Sequence, residues 1–446
     1  MEKRLFGTDG IRGVAGEPPL DVRTVVALGR ALGKDLSARG LGRSPVLTGM
    51  DTRESGPSIA AQLAAGLGAE GLATQFLGVV TTPAVAYLTR TGNYAAGVMI
   101  SASHNPFLDN GIKVFGRTGF KLPDAEEREI EREIFHQLAA SETVPTPEPL
   151  EISLSARKYL DFLLATIPVR LDGLRVVLDC GNGAAVPHAA QLFREAGAEV
   201  TALFSDPNGR NINLGCGALH PEKLRDEVMA RQADAGIAFD GDADRAILVS
   251  PAGRIVDGDA VLLVISRWLQ ARGALPGNEV VATVMSNLGL EKALTASGIS
   301  MTRTQVGDKY VLEEMLLRGA ALGGEQSGHI IFHQHSTTGD GMLTGLQMLA
   351  VCASSGKSLD ELAEDMVVYP QLLVNVRVRE RRALENLPGV TAEMRACEAE
   401  LNGAGRILVR YSGTEPLLRV MVEGAEMPQV ERIAERIAGA IRTELG

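Results

Sequence analysis

Asp21 to Gly49 reads DVRTVVALGRALGKDLSARGLGRSPVLTG, and its two ends obey different rules. Val22, Val25, Gly29, Leu32 and Leu36 form an apolar stripe at helical spacing. Asp21 stands before it as an N-cap, and Gly40 suits the stop. Pro45 to Gly49 then reads as a short buried strand. Ser55-Gly56-Pro57 opens a second helix with proline near its first turn. Ala95 to Ile100 is another apolar run of strand length. Strands alternating with helices at this spacing predict an α/β layer.

Outward from there the same pattern recurs. Pro145, Pro147 and Pro149 sit in a polar stretch that neither a helix nor a central strand tolerates, which predicts a linker. Leu174 to Asp179, the turn Cys180-Gly181-Asn182-Gly183 and a helix running to about Gly197 make a second βα pattern. Ser250-Pro251-Ala252-Gly253 and Tyr369-Pro370 punctuate the next two boundaries, and Ser358 with Glu361 forms a capping box ahead of the latter. Beyond it, Val374, Val376 and Val378 alternate with polar residues. Arg406 to Val409 and Leu417 to Val422 read as strands, and Val430, Ile433, Ile437 and Ile441 line one face of a last helix. These breaks predict domains at 1–150, 151–250, 251–369 and 370–446, the last a small α+β domain.

At 446 residues the chain is too long for one core, and its 45% apolar and 22% charged residues are the balance of a soluble globular protein. Neither a signal peptide nor a membrane-length apolar run is evident, so a cytoplasmic protein with no membrane partner is expected. Cys180, Cys216, Cys352 and Cys397 lie far apart with no C-x-x-C pair, which argues against a disulfide framework and a Cys-type zinc site. The net charge of −11 disfavours a nucleic-acid partner but leaves room for a small phosphorylated ligand held by a local basic cluster.

Four motifs carry chemistry. Asp240-Gly241-Asp242-Ala243-Asp244-Arg245 follows the strand-like Ala235 to Phe239. Three carboxylates at alternate positions repel one another if they converge, and a hard divalent cation removes the conflict. An EF-hand would need Gly sixth and Glu twelfth, where this chain has Arg245 and Pro251. A solvated acidic turn is the alternative. Magnesium is favoured over calcium because it takes few carboxylates and completes its shell with water or phosphate oxygens. Ile100-Ser101-Ala102-Ser103-His104-Asn105-Pro106 places a serine hydroxyl after a buried strand, and Asp109-Asn110-Gly111-Ile112-Lys113 brings back a lysine after a tight turn. The serine suits a nucleophile, and Ser103 with His104 equally suits simple stabilisation of the turn. No G-x-S-x-G elbow supports a hydrolase triad. Arg410-Tyr411-Ser412-Gly413-Thr414-Glu415-Pro416 with Arg419 offers a phosphate cradle, or else an ordinary hairpin with exposed arginines. Gly323-Gly324-Glu325-Gln326-Ser327-Gly328-His329 offers hydrogen-bonding groups for a sugar, and the nearby His333 and His335 raise a weaker zinc reading.

Together with Phe6-Gly7-Thr8-Asp9-Gly10-Ile11-Arg12-Gly13, these motifs resemble the α-D-phosphohexomutase family over nearly the whole chain. The resemblance implies three α/β domains of related topology with mixed sheets, plus a small C-terminal domain, around a central cleft. It implies a phosphoserine at Ser103 and one Mg2+ per active site, held by Asp240, Asp242, Asp244 and an oxygen on Ser103. Arg12, His104 and Lys113 would act beside the phosphoserine, with Lys113 as general acid or base, which for a base requires a lowered pKa. Glu325 and Ser327 would grip sugar hydroxyls. Arg410, Ser412, Gly413, Thr414 and Arg419 would hold the phosphate that is not reacting. Gln326 and Gly307-Asp308-Lys309-Tyr310 are similar to the branch that isomerises glucosamine phosphate, an isomerase feeding amino-sugar nucleotide and cell-wall synthesis. Glucose or mannose phosphates are the rival substrates, and a metal-dependent sugar phosphatase is the rival activity. The resemblance leaves a homodimer open. One departure stands out: Met50 precedes Asp51-Thr52-Arg53 where the family commonly has a basic residue.

Overall fold

The computed structural model describes residues 5–7, 9–140, 144–412 and 416–446. It divides into two compact units: the chain up to Val284 together with Met301–Glu364, and Met285–Ser300 together with Asp365–Gly446. Among the described residues no helix is long and apolar enough to cross a membrane.

In the first unit, Phe6–Gly7 (β1), Gly10–Val14 (β2), Val46–Met50 (β3), Thr74–Val79 (β4), Ala96–Ile100 (β5) and Asp109–Gly116 (β6) form a sheet in the order β1-β2-β6-β5-β3-β4. Strand β3 runs parallel to β4 and β5, while β6 is antiparallel to β5 and β2. Asp21 caps the helix Val22–Ala38 by accepting from the Arg23 and Thr24 amides, as the sequence predicts. That helix crosses Gly56–Ala69 so closely that a Cβ on Gly29 would lie 2.4 Å from the Leu63 carbonyl oxygen, and one on Gly66 2.2 Å from that of Val26. Leu28, Leu32, Leu63, Val98, Ile112 and Ile134 share the resulting core. Met50 packs against it, so the position where a cation was in question contributes apolar contact instead.

Arg175–Asp179 (β7), Glu199–Leu203 (β8), Ala235–Phe239 (β9), Ala246–Val249 (β10) and Ile255–Val256 (β11) form a second sheet, ordered β11-β10-β9-β7-β8. After β7 the helix expected from the turn to about Gly197 is confined to Ala189–Glu195. Gly181 and Asn182 take positive φ, and Pro187 has no amide hydrogen to give, so the intervening residues coil. Glu279–Thr283 (β12), Ser300–Thr304 (β13), Leu322–Gly324 (β14) and Ile330–Phe332 (β15) form a third sheet, ordered β13-β12-β14-β15.

The second unit carries Gln371–Arg377 (β16), Arg406–Tyr411 (β17) and Leu417–Glu423 (β18), antiparallel in the order β16-β18-β17. The helix Met427–Leu445 buries Val430, Ile433, Ile437 and Ile441 in this unit's core. The helix Leu288–Ala296 also belongs here: the Leu288 amide donates to Glu423 Oε1 at 2.9 Å, and Arg406 Nη2 donates to the Ser286 carbonyl at 2.6 Å. The sheets are mixed and the last domain is α+β, as expected.

Strand direction places the functional loops. Met50 and Ile100 are register partners at the carboxyl ends of parallel β3 and β5, so the Asp51–Arg53 and Ser101–Asn105 segments leave the same edge. Lys113 pairs with Met99 on the neighbouring strand. Residues 240–245 are the hairpin between β9 and β10, and residues 325–329 the hairpin between β14 and β15. Loops at the carboxyl ends of such sheets are where α/β proteins bind ligands.

Candidate active site

Ser103 is buried and takes φ +53, a left-handed conformation that costs a non-glycine residue about 1 kcal/mol. Its surroundings hold it there. The Ser103 amide donates to Ser101 Oγ at 2.9 Å, and its carbonyl accepts from Arg53 Nη2 and Asn213 Nδ2, each at 2.9 Å. Arg53 is fully buried and spends all five of its N–H groups. They go to Asp51 and to the carbonyls of Ser103, Asn105, Pro106 and Asp109. The turn therefore presents the Ser103 hydroxyl outward, where it donates to Asp240 Oδ2 at 2.6 Å. His104 Nδ1 lies 3.3 Å from the same hydroxyl and 3.2 Å from Arg245 Nη1. Burial, then the charges of Arg245 and Arg12, push the His104 pKa down to about 4, so this imidazole is neutral at pH 7.

Asp240, Asp242 and Asp244 are all buried, and one oxygen from each lies within 4.8 Å of the others. Three carboxylates this close need a counter-charge. Burial, then Asp244 and Asp242, hold the Asp240 carboxyl well above the usual range. Asp244 goes the other way: burial would raise it, but Lys113 and His329 hold it well below. Asp242 Oδ2 accepts from Thr82 Oγ1 at 2.5 Å and from Lys113 Nζ at 2.9 Å, while its buried Oδ1 has no hydrogen-bond partner among the described residues. An unsatisfied carboxylate oxygen, hard donors throughout and a hydroxyl alongside fit a small divalent cation.

Lys113 joins this cluster from β6, with Nζ 2.9 Å from Asp242, 3.2 Å from Asp244 and 3.0 Å from Asp9. Burial would lower its pKa, but those three carboxylates outweigh burial and hold it well above the ordinary lysine value. As the residues stand, Lys113 is an ammonium that holds its proton firmly, the opposite of the lowered pKa a free base requires. Asp9 also pairs with Arg12 and Lys121, and Lys121 continues to Asp308. Burial opposes ionisation of Asp9, yet Lys113, Lys121 and Arg12 together keep its carboxyl far below the usual range.

Glu325 and Ser327 lie on the adjoining hairpin. The Gly307 amide donates to Glu325 Oε1 at 3.0 Å, and Ser327 Oγ donates to Glu325 Oε2 at 3.4 Å. Gly328 seats the loop on β10: its carbonyl accepts from the Ala246 amide at 3.1 Å, and a Cβ here would come 2.3 Å from the Ala246 oxygen. The 325–329 hairpin is thus attached to the strand that ends the carboxylate hairpin. His329 is occupied otherwise than by a metal. The Gly339 amide donates to Nε2 at 2.9 Å, which leaves the ring proton on Nδ1, 3.5 Å from Asp244 Oδ1. No group of residues containing His329, His333 or His335 converges as a metal set among the described residues.

In the second unit, Arg410 on β17 stands directly opposite Arg419 on β18. Arg419 Nη2 donates to Ser412 Oγ at 3.3 Å, and Arg381 Nη2 donates to the Ser412 carbonyl at 2.6 Å. Burial and the facing Arg419 lower the Arg410 pKa, the mark of a guanidinium set against another cation. Gly413 and Thr414 lie outside the described residues.

Comparison with known proteins gives this geometry a lineage. Residues 3–140 match the phosphoglucomutase/phosphomannomutase alpha/beta/alpha domain I, 157–253 domain II, 257–369 domain III and 373–440 the C-terminal domain. The chain belongs to the phosphoglucomutase/phosphomannomutase family. Among its relatives, a phosphoglucosamine mutase of Solibacter usitatus is 58% identical over 100% of both chains, and one of Moorella thermoacetica 49% identical over 99% of both. A crystal structure of a phosphoglucomutase/phosphomannomutase family protein from Burkholderia thailandensis covers 98% of this chain and 97% of its own, with a TM-score of 0.80 at 27% identity.

Within this family member, Ser103, His104, Lys113, Arg12 and the three aspartates form one connected cluster, with Glu325 and Ser327 one strand away. Several members of the cluster were not singled out as site residues from sequence. Asp9, Arg53 and Arg245 lie inside motifs whose signal comes from other residues. Thr82, Lys121, Asp308 and Asn213 reach the site through tertiary contacts that span 110 to 187 residues along the chain.

Proposed function

We propose that this chain interconverts glucosamine 6-phosphate and glucosamine 1-phosphate, with Ser103 as the phosphoryl carrier. The observation that carries the reading is the 2.6 Å contact between Ser103 Oγ and Asp240, which puts the hydroxyl inside a carboxylate cluster that needs a cation. Full-length kinship to phosphoglucosamine mutases supports the amino sugar as substrate. In the first half-reaction the bond between phosphorus and Ser103 Oγ breaks as one to the sugar's anomeric oxygen forms. The sugar hydroxyl loses a proton and Oγ gains one. Lys113, protonated at rest, gives its proton toward Oγ and is replenished from the sugar, so its charge is restored within the step. The bisphosphate then presents its 6-phosphate to Ser103, and glucosamine 1-phosphate leaves. Asp240, Asp242 and Asp244, with an oxygen of phosphorylated Ser103, would hold Mg2+, which supplies charge neutralisation to the transferring group. Glu325 and Ser327 are assigned to sugar hydroxyls, and Arg410, Ser412, Gly413, Thr414 and Arg419 to the phosphate at rest. His104, neutral, would serve as a hydrogen-bond partner of the nucleophile.

Intact-mass measurement of the purified protein, before and after glucosamine 6-phosphate, tests the carrier. One phosphoryl mass on residue 103 that exchanges with substrate is expected, and a protein that turns over without one overturns it. Turnover compared on glucosamine, glucose and mannose 6-phosphates tests the substrate. Free phosphate released in step with substrate loss would replace the mutase with a phosphatase.

A further inference from the structure

Two side chains from different sheets hold the same two carbonyl groups beside the nucleophile. Arg53 Nη2 donates to Ser103 O and Asn105 O, both at 2.9 Å; Asn213 Nδ2 donates to the same pair at 2.9 and 3.3 Å. Arg53 follows β3 in the first sheet, whereas Asn213 belongs to the segment after β8 of the second. Asn213 is itself fixed. Its amide donates to the Gly181 carbonyl at 2.9 Å, and the flanking turns are pinned by Asp179, which accepts from the Gly181 and Gly217 amides at 2.8 Å each. Asn213 takes φ +58, which asparagine tolerates better than most residues. Gly241, the second residue of the carboxylate hairpin, presses on the same point: a Cβ there would come 2.3 Å from Ser103 O and 2.9 Å from Asn213 Nδ2.

Resting on the phosphoserine reading above, we infer that Asn213 is a positioning residue for phosphoryl transfer. It fixes the left-handed turn at Ser103 against the carboxylate hairpin, and so sets where the hydroxyl stands relative to Asp240. The reasoning is geometric. Ser103 hangs from the first sheet and Asp240 from the second, so the separation of their reacting atoms depends on how the two sheets meet. Asn213 spans that junction at the serine's own carbonyl. Misplacement of a reacting group by about 1 Å costs on the order of 10²-fold in rate. A purely architectural role is a different matter, because the same junction is tied independently by Thr52 Oγ1 to the Asn182 carbonyl at 2.5 Å and by Thr82 to Asp242.

Asn213→Gly removes the donor, and Asn213→Asp replaces it with oxygens that repel both carbonyls. Glycine and aspartate both accept the left-handed backbone. Each variant is compared with the full-length wild type for kcat and KM on glucosamine 6-phosphate, single-turnover loss of phosphate from residue 103, the 31P resonance of the phosphoserine, and melting temperature. Expected are a fall in kcat and single-turnover rate of about 10–100-fold for Asn213→Gly and more for Asn213→Asp, KM within about twofold, a displaced 31P resonance, and an unchanged melting temperature. A kcat within about twofold of wild type in both variants overturns the inference, as does a rate loss that tracks a lowered melting temperature. If the wild type itself carries no phosphate on residue 103, it is the phosphoserine reading that fails, whatever the variants do.

Discussion

The Asp240–Asp244 hairpin and the Arg410–Arg419 strand pair solve opposite problems. In the hairpin, buried like charges are met by a surrounding set of donors: Lys113, Thr82, His329 and the Ser103 hydroxyl. In the strand pair two guanidiniums face each other across the sheet, and Arg410 has no acidic partner among the described residues. The first arrangement is organised by the fold itself, as the proposed transfer chemistry would require. The second sets Arg410 against another cation, an arrangement that would suit the anion recognition proposed for it.

The comparison breaks first, if it breaks, at Ser103. Ser103→Ala is expected to lower turnover by at least about 10⁴-fold and to remove the phosphoryl mass; phosphate retained on another residue would move the chemistry out of this cluster. Asp242→Asn replaces a carboxylate of the proposed cation site and weakens the partner of Thr82 and Lys113. Activity should drop about 10²-fold or more and the response to added Mg2+ should flatten, which a metal titration of initial rates reads. Arg410→Ala should behave differently, with KM up about 10–100-fold and kcat within a few-fold. Its melting temperature should not fall, because the substitution removes a like-charge pair. A melting temperature that drops in step with activity would return that loop to a structural hairpin.

The smallest effect concerns a buried carboxylate outside both regions. Asp340 caps the helix Gly341–Ser355 through the Leu343 amide and accepts from Tyr159 Oη at 2.8 Å; burial raises its pKa from 3.8 to about 6. The folded protein holds a proton there between those values that the unfolded chain has released, so this group's contribution to stability grows as pH falls from 6 towards 4. Asp340→Asn should flatten that part of the stability profile, measured by denaturant unfolding at a series of pH values. An unchanged slope would assign it to other carboxylates.

Local signals were legible where one residue did one job. Asp21 and its apolar stripe marked a helix because cap and burial agree, and the strand before Asp240 was read at its observed bounds, Ala235–Phe239. Ser358 and Glu361 form the expected capping box, though over a single turn, Leu359–Leu362. Asp109-Asn110-Gly111 reads as a turn, yet these residues are paired within β6, where register with β2 overrides local preference. In the candidate site, Ser103 and the three aspartates are marked because each belongs to a motif that is contiguous in sequence. Lys121 carried no such mark, since its meaning lies in Asp9 and Asp308, which only the folded chain brings to it.

The helix Leu288–Ala296 has a practical corollary for anyone dissecting the molecule. A fragment starting at residue 370 would leave that helix behind, stripping Glu423 of the Leu288 amide and Arg406 of the Ser286 carbonyl. Expressing the carboxyl-terminal piece as a faithful module therefore calls for a graft that carries residues 285–300 along with it.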